Sequence, residues 1–175
     1  PLTINWVAEN SPAILEAWFP GTMAGPAIID TLFGDSNPGG KLPLTFPRSV
    51  GQIPLFYNQK RTGRPFQAEN KYTSKYLDIP NTPLYPFGYG LSYTTFRYRD
   101  LRVDKNEILP NGSVKVSVEV ENTGKVDGDE VVQLYISDVA ASVTRPGKEL
   151  KGFKRINLKA GQKQVVEFTL GKKEL

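Results

Sequence analysis

The sequence predicts two architectures in tandem, an α/β portion followed by an antiparallel all-β portion, with an aromatic connection between them. Three observations carry this. Twelve of the fourteen prolines lie in residues 1–86, and only Pro110 and Pro146 lie beyond. Proline fixes φ and removes a backbone donor, so the first half must be built from short elements and ordered turns while the second is free to pair strands. Val114, Val116, Val118 and Val120 alternate with Lys115, Ser117 and Glu119, the two-residue period of a strand with one face in a core. Charge repeats the division: residues 1–95 carry 7 basic and 6 acidic side chains, residues 96–175 carry 15 and 12, so the second part has the wetter surface.

In the first part, residues 2–7 read as a short strand, and residues 13–19 (AILEAWF) as a buried strand ending at the Pro20-Gly21 break. Residues 26–33 follow as a helix. Pro26 suits its first turn, Ile28, Ile29, Leu32 and Phe33 share a side, and Gly34 is placed to end it in a left-handed conformation. One helix and two strands cannot cover both faces of a parallel sheet, so residues 1–47 are expected to be the closing part of a larger α/β domain. Residues 48–95 show little periodicity but carry Phe56, Tyr57, Phe66, Tyr72, Tyr76, Tyr85, Phe87, Tyr89 and Tyr93. That content argues against disorder and for an ordered strap.

From residue 96 the pattern is that of strands. An early strand lies near residues 96–103, and the valine alternation marks the next. The turn chemistry of NTGKVDG at 122–128 leads into residues 131–137, where Val132, Leu134 and Ile136 share a face. Two short strands are expected at 149–153 and 155–158, and a last at 165–170 with Val166, Phe168 and Leu170 on one side. About six strands with turns between them point to a sandwich of the immunoglobulin or fibronectin type over 96–175. The usual count is seven or more, so one or two closing strands are expected to be lacking.

Composition removes several function classes. The 175 residues contain no histidine and no cysteine, which excludes Ser-His-Asp triads, cysteine nucleophiles, disulfide frameworks and nearly every zinc site. Chemistry would have to use carboxylates, lysine, tyrosine or hydroxyls. The net charge of +4 comes from basic residues interleaved with acids, so no nucleic-acid partner is expected. No run reaches the roughly 20 apolar residues of a membrane helix, and no membrane partner is expected.

Four longer stretches are family-specific: AWFPGTMAGPAIIDTLFGDSNPGGKLPLTFP at 17–47, LYPFGYGLSYTTF at 84–96, VENTGKVDGDEVVQLYI at 120–136 and RPGKELKGFKRINLKAGQ at 145–162. In this order they resemble the C-terminal region of a family 3 glycoside hydrolase. PRSVGQIP at 47–54, TGRPF at 62–66 and NKYTSKYLD at 70–78 bring the similarity closer to the periplasmic β-glucosidase subgroup. The resemblance implies an enzyme with an N-terminal barrel, a second α/β sandwich domain and a terminal fibronectin type III-like domain. This chain matches the end of the second, a strap, and an incomplete third. The implied reaction is retaining hydrolysis of terminal β-D-glucosyl residues, in which one carboxylate attacks the anomeric carbon and another carboxyl protonates the leaving oxygen. In the family the nucleophile lies in the barrel and the acid/base upstream of the WFPG stretch, so neither has a matching position here. The expectation is therefore no catalytic residue, no metal site and no cofactor in this chain, with the substrate-binding residues undetermined. The implied partners are a β-glucoside or oligosaccharide in the complete enzyme and the missing N-terminal barrel and α/β domain. The implied localisation is periplasmic or secreted.

The residues that invite a functional reading were weighed against structural ones. Glu16, in an apolar run, resembles an acid/base candidate because low dielectric raises a carboxyl's pKa, but an acid at a strand end or facing a groove is preferred. Asp35 and Asn37 in GDSNPGGK are expected to fix the loop after the helix by accepting backbone N–H bonds, while Gly39 and Gly40 allow its course. Lys41 after two glycines does not make a phosphate loop, because the spacing is wrong and the stretch follows a helix. The run Tyr85-Pro86-Phe87-Gly88-Tyr89-Gly90 is either a sugar platform or an interdomain anchor with Phe87 and Tyr89 packed and Gly88 and Gly90 permitting the turn, the latter preferred. Arg64 and Lys71 are candidates for the active-site rim of the complete enzyme. Relatives carry a Glu-Gly-Gly type sequence after WFPG where this chain has Thr22-Met23-Ala24, so Met23 bears on aglycone preference. The competing class is a stand-alone carbohydrate- or protein-binding module. It needs an exposed aromatic patch on the sandwich, where Phe153 and Phe168 read as core-facing and Tyr135 as exposed.

Overall fold

The computed structural model describes residues 2–174. Its elements are α1 (Asn5–Asn10), α2 (Ala24–Phe33), β1 (Phe96–Val103), β2 (Val114–Asn122), β3 (Gly128–Ile136), β4 (Glu149–Leu158) and β5 (Lys163–Leu170), with single 3₁₀ turns at Gly21–Met23 and Val50–Gln52. They belong to two compact units. One joins the stretch up to Trp18 with Lys41–Tyr89 and Ile136–Glu149; the other joins Phe19–Gly40, Gly90–Tyr135 and the stretch from Leu150 onward.

The first unit departs from the sequence reading. Residues 2–7 do not form a strand, because α1 starts at Asn5, with Ala8 N donating to Ile4 O and Ser11 N to Val7 O at 2.9 Å each. Six residues of alternating polarity fit a helical turn as well as a strand. The deciding signal is Ser11-Pro12. A residue before proline is pushed out of the α region, and Ser11 is extended at φ −118°, which ends the helix. Residues 13–19 are not a strand either. Ile14 and Leu15 are 40% and 43% exposed, and Trp18 has φ 49°. A strand needs a partner for its backbone groups, and among the described residues no strand pairs with this run.

Residues 41–89 of this unit are ordered by side chains that serve backbone groups. Gln52 is 2% exposed; its Oε1 accepts from Arg48 N (2.7 Å) and its Nε2 donates to Pro80 O (3.0 Å). Arg48 Nε donates to Thr82 O (3.0 Å), and Asn81 Nδ2 to Ser74 O (2.9 Å). A long stretch with little regular structure stays fixed when its buried polar groups are met in this way.

The second unit opens with α2, two residues earlier at its start than predicted, and Gly34 ends it at φ 85°. Gly34 N and Ser36 N take the carbonyls of Thr31 (3.3 Å) and Asp30 (3.0 Å). The apolar side of α2 is bare: Ile29, Leu32 and Phe33 are 55%, 63% and 80% exposed.

Five strands follow, in sheets ordered β1-β2-β5 and β3-β4. β2 pairs antiparallel with both neighbours, Val116 opposite Val103 and Phe168, and Val120 opposite Tyr98 and Gln164. Between Arg99 and Arg102 the β1 register shifts, and Asp100 adopts φ 53° at that bulge. The core between the sheets is Val120, Val132, Ile156, Leu158 and Val166, with Phe96, Val118 and Phe168 packed against it.

Two expectations about β4 are corrected. Residues 149–153 and 155–158 form one ten-residue strand, since Lys154 interrupts neither the extended backbone nor the alternation. Its even positions face inward, as buried Ile156 and Leu158 indicate, so Phe153 points out and is 67% exposed. Gly152 takes the inward place: a Cβ there would lie 2.8 Å from Phe168 Cδ1, so the Phe168 ring fills the room a side chain would need. Tyr135 is half-buried rather than exposed.

Asp129 on β3 accepts from Asn157 Nδ2 (2.7 Å) and Arg155 Nε (2.9 Å) on β4. The Asn157 bond first, and then the Arg155 bonds, hold its carboxyl below the ordinary value of 3.8. A depressed folded value contributes stability that is fully present above the unfolded pKa and is lost as pH falls through the folded one. Arg155→Gln is expected to flatten the acid limb of stability by less than about 1 kcal/mol, because the guanidinium is mostly exposed. Urea titrations in acid and near neutrality measure this; an unchanged acid limb would count against it.

Candidate functional site

The residues singled out from the sequence fall into separate places. In the first unit, Glu16 lies in the turn before Pro20, where its Oε1 accepts from Trp18 N at 3.1 Å. That bond sits beside the left-handed Trp18, so the carboxylate's visible task is to hold a strained turn. Trp18 meets Phe46 edge-on at 6.1 Å, and Phe46, 1% exposed, meets Tyr85 at 6.4 Å.

The aromatic run 85–90 is tied into the same unit. Phe46 N donates to Tyr85 O and Gly88 N to Leu42 O, both at 2.8 Å, with Gly88 at φ 80°. Phe87 stacks on Tyr57 at 4.2 Å, and Tyr85 on Tyr89 at 5.3 Å. The rings face one another within the unit, whereas a platform for a sugar would leave its ring faces open. Of the run's three rings only that of Tyr89 keeps substantial exposure, at 38%. Arg64 and Lys71 lie on the loop held by Ser74 N to Arg64 O (3.0 Å), and Lys71 Nζ sits 5.1 Å from the centre of the Tyr72 ring.

In the second unit, the loop after α2 is fixed by Asn37. Its Oδ1 accepts from Ser92 Oγ and Tyr93 N (2.8 Å each), and its Nδ2 donates to Asp127 O (2.8 Å). Tyr93 OH donates to Thr31 O (2.7 Å). This matches the structural reading of the GDSNPGGK stretch, although Asn37 carries it and Asp35 does not share these bonds. Gly39 is required by packing, since a Cβ there would stand 2.7 Å from Asp129 Cβ. Met23 is 65% exposed.

Other carboxylates of this unit are committed to the fold. Asp104 Oδ1 accepts from Lys115 N (2.7 Å), Asp127 Oδ1 from Ala160 N (2.9 Å), and Glu119 Oε1 from Lys163 Nζ (3.2 Å). Glu130, 8% exposed, accepts from Tyr98 OH at 2.8 Å, and burial foremost, then Glu130's charge, pushes that hydroxyl far above its usual pKa. No group of three or more carboxylates that could hold a metal ion occurs among the described residues.

Sequence reading gave no role to Asn122, a fully buried polar hub. Its Oδ1 accepts from Thr94 Oγ1 (2.6 Å) and Gly124 N (3.1 Å), and its Nδ2 donates to Val126 O (2.8 Å) and Leu158 O (3.0 Å). The signal was the Asn-Thr-Gly end of the valine strand, where an inward-facing asparagine continues an apolar alternation.

In these arrangements the side chains hold the fold. Residues 1–93 match the glycosyl hydrolase family 3 C-terminal domain, and residues 130–175 match a fibronectin type III-like domain. The chain belongs to glycoside hydrolase family 3. Among curated family members, a periplasmic beta-glucosidase of Salmonella typhimurium is 54% identical over 97% of this chain, and a beta-xylosidase of Formosa agariphila is 53% identical over all of it. A crystal structure of a beta-glucosidase from Listeria innocua in complex with glucose superposes with a TM-score of 0.93 at 48% identity, covering 99% of this chain. The chain spans 22% and 24% of the two curated relatives and 24% of the crystallised chain, so it corresponds to about a quarter of each.

Proposed function

We propose that the chain is the C-terminal supporting part of a retaining β-glucosidase that releases terminal β-D-glucosyl residues by double displacement, with nucleophile and acid/base both outside these residues. The observation that carries this is the bare apolar surface of the α/β portion. In the first unit Trp6 is 74% exposed; in the second, Phe19, Met23 and Phe33 are 100%, 65% and 80% exposed. Side chains of this size are seldom left in water by a finished domain, and their burial is worth about 1.5–3 kcal/mol each. They fit a face covered by more of the same enzyme. We assign residues 1–47 to the end of the α/β domain, 48–95 to a connecting strap, and 96–175 to a fibronectin type III-like sandwich that further strands complete.

Two carboxylates support the reading by being committed to the fold. Retaining hydrolysis needs two carboxyl groups about 5–5.5 Å apart across the scissile bond, whereas Glu16 here holds the Trp18 turn and Asp129 holds Arg155 and Asn157. The beta-xylosidase relative makes a β-xyloside the second substrate to try. The name of the Salmonella relative supports a periplasmic or secreted location. Exposed Phe153 on β4 keeps a carbohydrate-binding sandwich open to test.

The test assays chromogenic β-glucoside and β-xyloside with the purified 175 residues and with the full-length polypeptide that carries them. Turnover is expected only from the longer protein. Activity in the short one that disappears on replacing one of its own carboxylates would overturn the assignment. Titrating the short chain with oligosaccharides checks the binding-module reading, for which no binding is expected.

A further inference from the structure

The first unit holds a cleft that the supporting role leaves unused. It lies between Arg61 and the loop 138–146, has a volume of about 390 Å³ and is lined mainly by polar groups, among them Arg61, Arg145, Asp138, Ser142 and Thr144. The C-terminal end of the loop is pinned: Lys60 and Pro146 form an antiparallel bridge, and Gly147 N donates to Gln59 O at 2.9 Å. One end of the loop is therefore fixed by backbone bonds, and every lining residue except Pro146 is exposed to solvent.

Its charges do not cancel. Two arginines and one aspartate line it, and the carboxylate is partly engaged elsewhere, because Asp138 Oδ1 accepts from Ala140 N at 3.2 Å. Arg145 Nε stands 3.9 Å from Asp138 Oδ2, an ion pair beyond hydrogen-bond length. Arg61 Nη2 donates to Ser137 Oγ at 3.3 Å. Each guanidinium carries five donors in a planar fork that suits a carboxylate or sulfate, and among the described residues these are the contacts that use them. The volume exceeds what a bare oxyanion needs and falls in the range of small-molecule clefts. The hydroxyls of Ser142 and Thr144 are suited to a polyol.

We propose that this cleft binds a monosaccharide-sized ligand bearing an oxyanion, a carboxylate or a sulfate, with Arg61 and Arg145 gripping the charged group. The site does not depend on which glycoside the enzyme cleaves.

The test is calorimetric titration of the full-length polypeptide with glucuronate and with glucose 6-sulfate, in the presence of saturating glucose to occupy any site for the neutral sugar. Saturable heat with at least one of the two is expected, the responsive one identifying the oxyanion. Arg61→Gln and Arg145→Gln are each expected to weaken it by about tenfold or more. Asp138→Asn keeps the oxygen that caps Ala140 N and removes the competing charge, so it is expected to tighten binding several-fold. An absence of saturable heat with both ligands, wild-type affinity in either arginine variant, or weaker binding in Asp138→Asn would overturn the site. Turnover of the neutral β-glucoside is read separately, so failure here is distinguishable from failure of the enzymatic reading.

Discussion

Asn122→Ala is expected to destabilise the β-sandwich by about 3 kcal/mol or more, because each buried group left without a partner costs roughly 1–3 kcal/mol. Four groups lose their bond at once: Thr94 Oγ1, Gly124 N, Val126 O and Leu158 O. Asn122 itself is 0% exposed, so water does not enter as a replacement without opening the core around Leu158. Urea unfolding followed by far-UV circular dichroism gives the value, and a loss below about 1 kcal/mol would contradict the hub assignment. Asn122→Asp sharpens the case. The new oxygen would face the carbonyls of Val126 and Leu158, an arrangement that favours the protonated acid and raises its folded pKa above the unfolded one. Stability of that variant is then highest below the unfolded carboxyl pKa and falls as pH rises through the folded value. The wild type has no such dependence at this position.

Gly124→Ala is expected to cost about 2–4 kcal/mol, by overpacking rather than by backbone strain. An added Cβ would stand 2.1 Å from Thr94 Oγ1, 2.9 Å from Thr95 N and 3.1 Å from Thr94 Cα. The side chain of Thr94 cannot swing away without giving up its bond to Asn122, and the backbone atoms cannot move at all without disturbing the start of β1. Gly40→Ala is the control: nothing lies within 4 Å of the added carbon, and the change is expected to stay within about 1 kcal/mol of neutral. Because Gly124 and Asn122 share Thr94 as a neighbour, the double variant Asn122→Ala/Gly124→Ala is expected to lose less than the sum of the two single losses. Thermal and urea melts of the four proteins decide it. A Gly124→Ala protein as stable as Gly40→Ala would show that the turn yields more readily than its spacing implies.

Gly124 also indicates how the sequence was to be read. NTGKVDG was legible as a turn, and it is one, but its first glycine is demanded by the closeness of Thr94, which no local rule contains. The strands from residue 96 onward were legible because each needs only its own alternation. At β4 the two short strands expected at 149–153 and 155–158 are one, and within it one residue of parity turns Phe153 outward. The start of the chain was the least legible part. Only the second half of the alternating stretch 2–7 is helical, within α1, which Ser11-Pro12 ends, and the apolar run 13–19 has no strand to pair with. Of the candidate residues, Asn37 serves the loop geometry that its turn context implies, and the 85–90 aromatics pack ring on ring within their own unit. Asn122 and the Arg61 cleft went unseen, since their partners are distant in sequence.

By itself the sequence determined the family resemblance, the change from proline-rich turns to paired strands, and the exclusion of histidine and cysteine chemistry, all of which follow from composition, period and contiguous motifs. Only the tertiary structure decided which side chains are spent on holding the fold, which apolar faces are left bare, and which two arginines line one cleft. Those are matters of distance between residues far apart along the chain, and hydrogen bonds, packing and charge pairing act only across the few ångströms that folding brings about.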